Sequence, residues 1–193
     1  MQDANGNAKA IALAVSKGIG ATKGGAISSS CREETLIDLF AEQALWPQII
    51  VAFREAFSVL SAAGCSDEAI LHELYLSGEP AEVFDVAAEE GFFHQLKHHS
   101  MVSQYGQLKG ALLLDGADVR ARFQNVLKTR IESGAFMREF QAIEKELETR
   151  GENNPIEQLY NESAKTDLGV AEAAVFKRLG LGVKATRTVS GNN

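Results

Sequence analysis

The sequence predicts an all-α protein. Apolar residues recur at three- and four-residue spacing along most of the chain. No stretch alternates with the two-residue period of a strand. The punctuation is that of helix ends, with glycine after apolar stripes and Ser, Asn or Pro before them. Mostly short connections argue for a compact bundle. With 193 residues the chain can form one sizeable domain, and at this length about 70% of the extended surface can be buried.

The elements follow in order. Asn5 to Lys17 places Ala8, Ile11, Ala12 and Val15 on one helical face and stops at Gly18. Gly18 to Ser30 is a Gly/Ser-rich connection. Thr35 to Trp46 is the first strong helix, which Pro47 should break or kink unless it sits in the first turn of the next one. Gln48 to Ala63 carries Ile49, Ile50, Phe53, Phe57 and Leu60 and ends at Gly64. Ser66 is placed to cap a helix from Asp67 to about Ser77. Pro80 opens another, ending near Gly91, and "FFHQLKHHSMVSQYG" after it is less regular. Asp118 to Glu132 and Ala135 to Thr149 are amphipathic, separated by Ser133-Gly134. Asn154-Pro155-Ile156-Glu157 combines a cap, a proline at the first position and an acid in the first turn. The tail from Lys184 is polar and expected to fray.

Composition narrows the function. The net charge of −7 argues against a nucleic-acid footprint or an anionic-membrane anchor. No apolar run reaches the roughly 18 residues needed to span a bilayer. The first ten residues lack the basic-then-apolar pattern of a signal peptide. Cys31 and Cys65 lack CxxC spacing and read as reduced thiols of a cytoplasmic protein.

Three groups of residues could carry chemistry. Gly18, Gly20, Gly24 and Gly25 follow a helix with spacing GxGxxxGG, which matches neither a dinucleotide fingerprint nor a Walker loop, and they read as a flexible connection. His94 and His98 are four apart with His99 beside them. Without HExxH they read as a solvated or partner-facing cluster. The acids are the stronger signal. "TLIDLFAEQALW" sets Asp38 and Glu42 four residues apart on one helix face among apolar neighbours, and "AILHELYL" repeats the situation with Glu73. Buried like charges repel. Either a hard divalent cation such as Mg²⁺ neutralises them, or they project past the apolar stripe into water.

Four segments in one order carry a family resemblance: "QDANGNAKAIALAVSKGIGATKGGAI", "REETLIDLFAEQA", "LHELYL" and "SMVSQYG". Together, from about Gln2 to Glu139, they resemble the C-terminal domain of ketol-acid reductoisomerase. The resemblance implies an all-helical, knotted domain that intertwines with a second copy to complete the active sites. It implies two Mg²⁺ ions, and NADPH bound by a separate N-terminal Rossmann domain. The implied reaction isomerises 2-acetolactate or 2-aceto-2-hydroxybutyrate by alkyl migration and reduces the product to a dihydroxy acid, for branched-chain amino-acid synthesis.

Residue by residue, the family's DLFGEQ motif falls on Asp38, which would bridge both metals, and Glu42, which would bind one, with Ala41 in place of glycine. Its ExxHE segment falls on Ala69 and Glu73, so Glu73 is an expected ligand and the first acid is missing. Glu68 points about 100° away on a helix and is a poor substitute. The serine of an STAEYG-like segment, expected to contact substrate, falls on Ser100, and the glutamate of that segment is Gln104 here.

The expected organisation is one helical domain over residues 1–193. Residues 2–30 form an entry helix and connection, 31–139 the metal- and substrate-site core, and 140–193 the C-terminal helices and tail. No βαβ pattern precedes it, so the chain reads as an excised domain with an added Met1 or as a stand-alone remnant, inactive alone, working as a homodimer or higher oligomer. The departures keep two alternatives open: a non-enzymatic helical dimerisation module with a decayed site, and a reductase for another 2-keto or hydroxy acid.

Overall fold

The computed structural model describes residues 3–4, 6–149, 151 and 154–181. Among them there is no strand. The frayed tail expected from Lys184 lies outside the described residues.

Helix α1 (Ala8–Gly18) leads through turns to α2 (Cys31–Phe40), which begins four residues before the expected start. The reason is a cap: the Ser30 hydroxyl oxygen accepts the Glu33 N–H at 3.1 Å, and Ser29 donates to the Glu33 carboxylate at 2.9 Å. Nor does the helix break at Pro47. A π-helical segment (Ala41–Leu45) joins α2 to α3 (Trp46–Ala62), and Trp46 N–H reaches back five residues to the Ala41 carbonyl. Proline lacks an N–H, and its ring crowds the carbonyl four residues earlier. The wider turn just before Pro47 absorbs that conflict without ending the helix.

After Gly64, at φ 89°, the chain turns into α4 (Asp67–Leu71), capped by Ser66 as expected. A second π segment (His72–Leu76) continues it. Then come α5 (Glu79–Glu90), a 3₁₀ turn (Gln95–His98) and α6 (Met101–Leu113), so the less regular stretch resolves into a tight turn and a helix capped by Ser100. Helix α7 (Ala117–Val126) runs through a third π segment (Leu127–Glu132) toward α8 (Ala135–Thr149). Helices α9 (Pro155–Ser163) and α10 (Asp167–Leu179) complete the described chain.

The main core joins distant elements. Phe57 of α3, Ile70 and Leu71 of α4, and Ala171 and Val175 of α10 are buried together, with Leu74, Tyr75, Leu76 and Leu168 around them. Leu71 and Val175 are fully enclosed. Elsewhere α7 packs on the π segment after α2, with Phe40 and Phe123 edge to face at 5.4 Å.

These cores are small for the chain. Among the described residues Ile37, Trp46, Ile50, Val59, Tyr105 and Leu112 are each half exposed or more. The single chain is therefore more open than the compact bundle expected from its short connections. Short connections fix which helices are neighbours in sequence; they do not oblige each apolar face to find its cover within the same chain. Contrary to the expectation from apolar runs, the helix from Cys31 to Ala62 is long and apolar enough, by length and composition, to cross a membrane. It also carries Asp38, Glu42, Arg54 and Glu55 and packs against α7 and α10.

Candidate functional site

The helix bearing Asp38 and Glu42 has two unlike faces. One faces the chain's own helices. Thr35, Leu36 and Leu39 line a cleft with Ile131 and Met137, and Gln43, Ala44, Pro47 and Val51 line another with Phe123 and Val126. Asp38 and Glu42 are on the exposed part of the surface, where Ile37 is 60% and Trp46 50% accessible. The acids among apolar neighbours are thus not enclosed in this chain. The π segment alters their relation: Glu42 is its second residue, so the wider winding loosens the four-residue register expected of a pure α-helix.

Glu73 is also exposed and is also the second residue of a π segment. Such turns are strained insertions that recur at functional sites. Glu73 lines a cleft of about 310 Å³ with Glu79, Pro80, Phe84, Phe92, His99 and Gln107. The fold therefore brings Glu73 to the segment immediately before Ser100. Ser100 caps α6: its Oγ accepts the Ser103 N–H at 3.3 Å. That bond uses one acceptor lone pair and leaves the rotatable hydroxyl proton able to donate to a ligand oxygen.

Asp38, Glu42 and Glu73 make no ion pair or side-chain hydrogen bond among the described residues. Other acids are engaged. Glu68 pairs with Arg178, which removes it as a replacement for the acid missing at Ala69. Ala69 itself is exposed, and its N–H donates to the Ser66 hydroxyl oxygen at 3.4 Å. Among the described residues no three His, Cys, Asp or Glu side chains converge as a metal cage within one chain.

The histidines behave differently from the α-helical pair their spacing suggests. The 3₁₀ turn brings His98 to 2.9 Å and His94 to 4.0 Å from the same Glu90 oxygen, with both rings largely exposed. The hydrogen bond from His98 is the largest influence and holds the Glu90 carboxyl below its ordinary range; burial opposes it, and the charges of His98, His94 and Lys97 add smaller pulls downward. The sequence reading missed Glu90. Its four-residue spacing to His94 is a helical signal, whereas its position eight residues before His98 is not, because a turn intervenes. Cys31 and Cys65 are both free and exposed.

Comparison with known proteins places this geometry in context. The family model for the C-terminal domain of ketol-acid reductoisomerase matches residues 31–179. The chain is 48% identical over 109 residues to a ketol-acid reductoisomerase-like protein of Saccharolobus solfataricus, covering 55% of this chain and 33% of that protein. It is 37% identical over 140 residues to the NADP(+) ketol-acid reductoisomerase of Sulfurisphaera tokodaii, covering 72% and 41% respectively. It is 36% identical over 168 residues to the enzyme of that name from Kocuria rhizophila, covering 80% and 47%. The chain thus spans less than half the length of these curated relatives. In fold it is similar to a solved NADH-preferring ketol-acid reductoisomerase from an uncultured archaeon, with a TM-score of 0.72 and 24% identity over 92% of this chain and 51% of that one.

Proposed function

Because this chain belongs to the ketol-acid reductoisomerase family, matching its C-terminal domain, we propose that it supplies the Mg²⁺- and substrate-binding half of such an enzyme. The observation that carries the reading is the trio of unpaired, exposed carboxylates at Asp38, Glu42 and Glu73, all inside the matched region. Hard oxygen donors without competing cations suit Mg²⁺, which takes one or two carboxylates per ion and keeps waters. In this reading Asp38 would be shared by two Mg²⁺ ions, Glu42 and Glu73 would each be a ligand of one, and the Ser100 hydroxyl would hold a substrate oxygen.

Bound Mg²⁺ would act as a Lewis acid on a carbonyl oxygen of a 2-hydroxy-2-keto acid such as 2-acetolactate. The chain's own part would be to present the carboxylates and to orient the substrate through Ser100. Hydride delivery from NADPH would fall to a Rossmann domain of the kind implied for the family, and the cytoplasm is the fitting compartment for that chemistry.

Asp38 and Glu42 lie on one helix face, while Glu73 and Ser100 belong to a different part of the fold. A second copy would bring the two sets together and cover the uncovered apolar face around Ile37 and Trp46. Such an intertwined, knotted dimer would also account for the exposed apolar side chains.

Subunit mixing tests the shared site. Asp38→Asn and Glu73→Gln chains should each lose Mg²⁺ binding alone, while heterodimers of the two should keep one intact site in two, so a randomly mixed sample should regain about a quarter of all sites. Binding of 2-acetolactate should require Mg²⁺ and vanish in Asp38→Asn. Acetolactate binding that ignores chelator and both substitutions would sink the reading. The second reading, a dimerisation module with a decayed site, is favoured by Ala69 standing where the family carries an acid; a stable dimer without Mg²⁺ binding would establish it.

A further inference from the structure

Ser100 stands at a junction where the backbone is held by side chains. His99 and Ser100 are both extended, at φ −91°, ψ 166° and φ −59°, ψ 154°, and α6 begins with the next residue. The His99 carbonyl lies outside the helix and has no intrahelical donor. Gln104, in the first turn and a half of α6, reaches back five residues and donates its amide N–H to that carbonyl at 2.7 Å. Gln104 N–H meanwhile joins the Ser100 carbonyl at 2.9 Å. One residue therefore grips the chain on both sides of the Ser100 Cα.

The grip is anchored further back. The His99 ring meets the Gln95 side-chain oxygen at 3.2 Å, and Gln95 is only 4% exposed. On the helix side Gln107 donates to the Ser103 hydroxyl at 2.9 Å, bracing the residue whose N–H caps onto Ser100.

We infer that Gln104 is the positioning residue for Ser100, and that an N–H donor is required there because the partner is a carbonyl oxygen. An ionised glutamate, the residue the family pattern places at this position, offers acceptors only and would repel the His99 oxygen. A side chain that donates fixes the His99–Ser100 backbone, and so fixes where the Ser100 Oγ stands relative to the cleft that His99 lines with Glu73. The substrate-directed part of this inference rests on the proposed function; the backbone part does not.

The test uses the full chain with three substitutions. Gln104→Leu removes the donor, Gln104→Glu replaces it with acceptors, and Gln104→Lys keeps an N–H donor. Amide exchange at Ser103, read by NMR and referenced to the global unfolding of each variant, should quicken roughly five- to tenfold in the Leu and Glu variants, as expected for one lost hydrogen bond, and stay near the parent in the Lys variant. Acetolactate affinity in Mg²⁺ should fall with the Leu and Glu variants as far as with Ser100→Ala, and recover with Lys. Unchanged Ser103 exchange in the Leu and Glu variants, or equal loosening in all three, overturns the inference. So does quickened exchange with undiminished acetolactate affinity. If the parent itself takes up no acetolactate, the functional reading fails, while the exchange arm still decides whether Gln104 fixes Ser100.

Discussion

The Tyr75 hydroxyl donates to the Glu172 carboxylate, joining the π turn that begins beside Glu73 to a helix 97 positions further along the chain. The contact sits at the edge of the main core, and the Tyr75 ring also meets Phe53 edge to face at 6.5 Å. It couples the backbone of a candidate ligand to the docking of α10.

Removing that hydroxyl should cost measurable stability. Tyr75→Phe keeps the ring contact but leaves a part-buried carboxylate without its donor, so urea denaturation should show a loss of about 1–2 kcal/mol. The same pair predicts an alkaline effect. Burial first, then the hydrogen bond and charge of Glu172, push the tyrosine hydroxyl well above its usual range. The folded chain therefore holds this proton more tightly than the unfolded one. The contribution is full below about pH 10 and is lost as the pH climbs further. Tyr75→Phe should flatten that part of the stability profile, and parallel alkaline limbs would exclude the coupling.

Glu90 titrates on the other side. Its carboxyl is lowered chiefly by the hydrogen bond from His98. A depressed folded value contributes stability above the ordinary carboxylate range, and the contribution disappears as the pH falls through the folded midpoint. In His98→Ala the Glu90 carboxyl resonance should titrate at higher pH than in the parent. An unmoved midpoint would mean the contact is not populated in solution.

Gly169 is fixed by space rather than by backbone angle. A Cβ there would lie 2.5 Å from the Ser163 carbonyl oxygen and 2.9 Å from the Ala164 Cα. Both obstacles are backbone of the turn joining α9 to α10. Gly169→Ala should therefore open that turn and lower stability by about 1–3 kcal/mol. Thermal melting of the variant decides it, and an unchanged midpoint would show that the turn yields freely.

Restoring an acid at position 69 should strengthen metal binding. Ser66 is the cap of α4 and Ala69 is its third residue, so Ala69→Glu creates the Ser-x-x-Glu pattern of a reciprocal capping box. Without metal the variant should melt at or slightly above the parent. With millimolar Mg²⁺ its midpoint should rise more than the parent's, because binding to the native state adds stability. Equal Mg²⁺-induced shifts would mean that position 69 does not face the ion.

The sequence by itself determined the helical class, most helix ends and the identity of the acids. These are local matters: the spacing of Ile49, Phe53 and Phe57, the caps at Ser66 and Asn154, and the glycine at 64 act within a few residues. The earlier start of α2 was legible too, in the Ser30-x-x-Glu33 pattern. Tertiary structure decided the rest. That Pro47 is carried inside one long helix depends on a π turn, which no periodicity announces because it inserts into an α pattern without changing composition. That Glu68 is occupied depends on Arg178, brought close only when α10 docks on α4. That Asp38 and Glu42 stand open among apolar neighbours depends on which helix faces the chain covers and which it leaves bare. Pairing over a hundred positions and the choice of a covered face are global outcomes of packing, and helical periodicity holds no record of them.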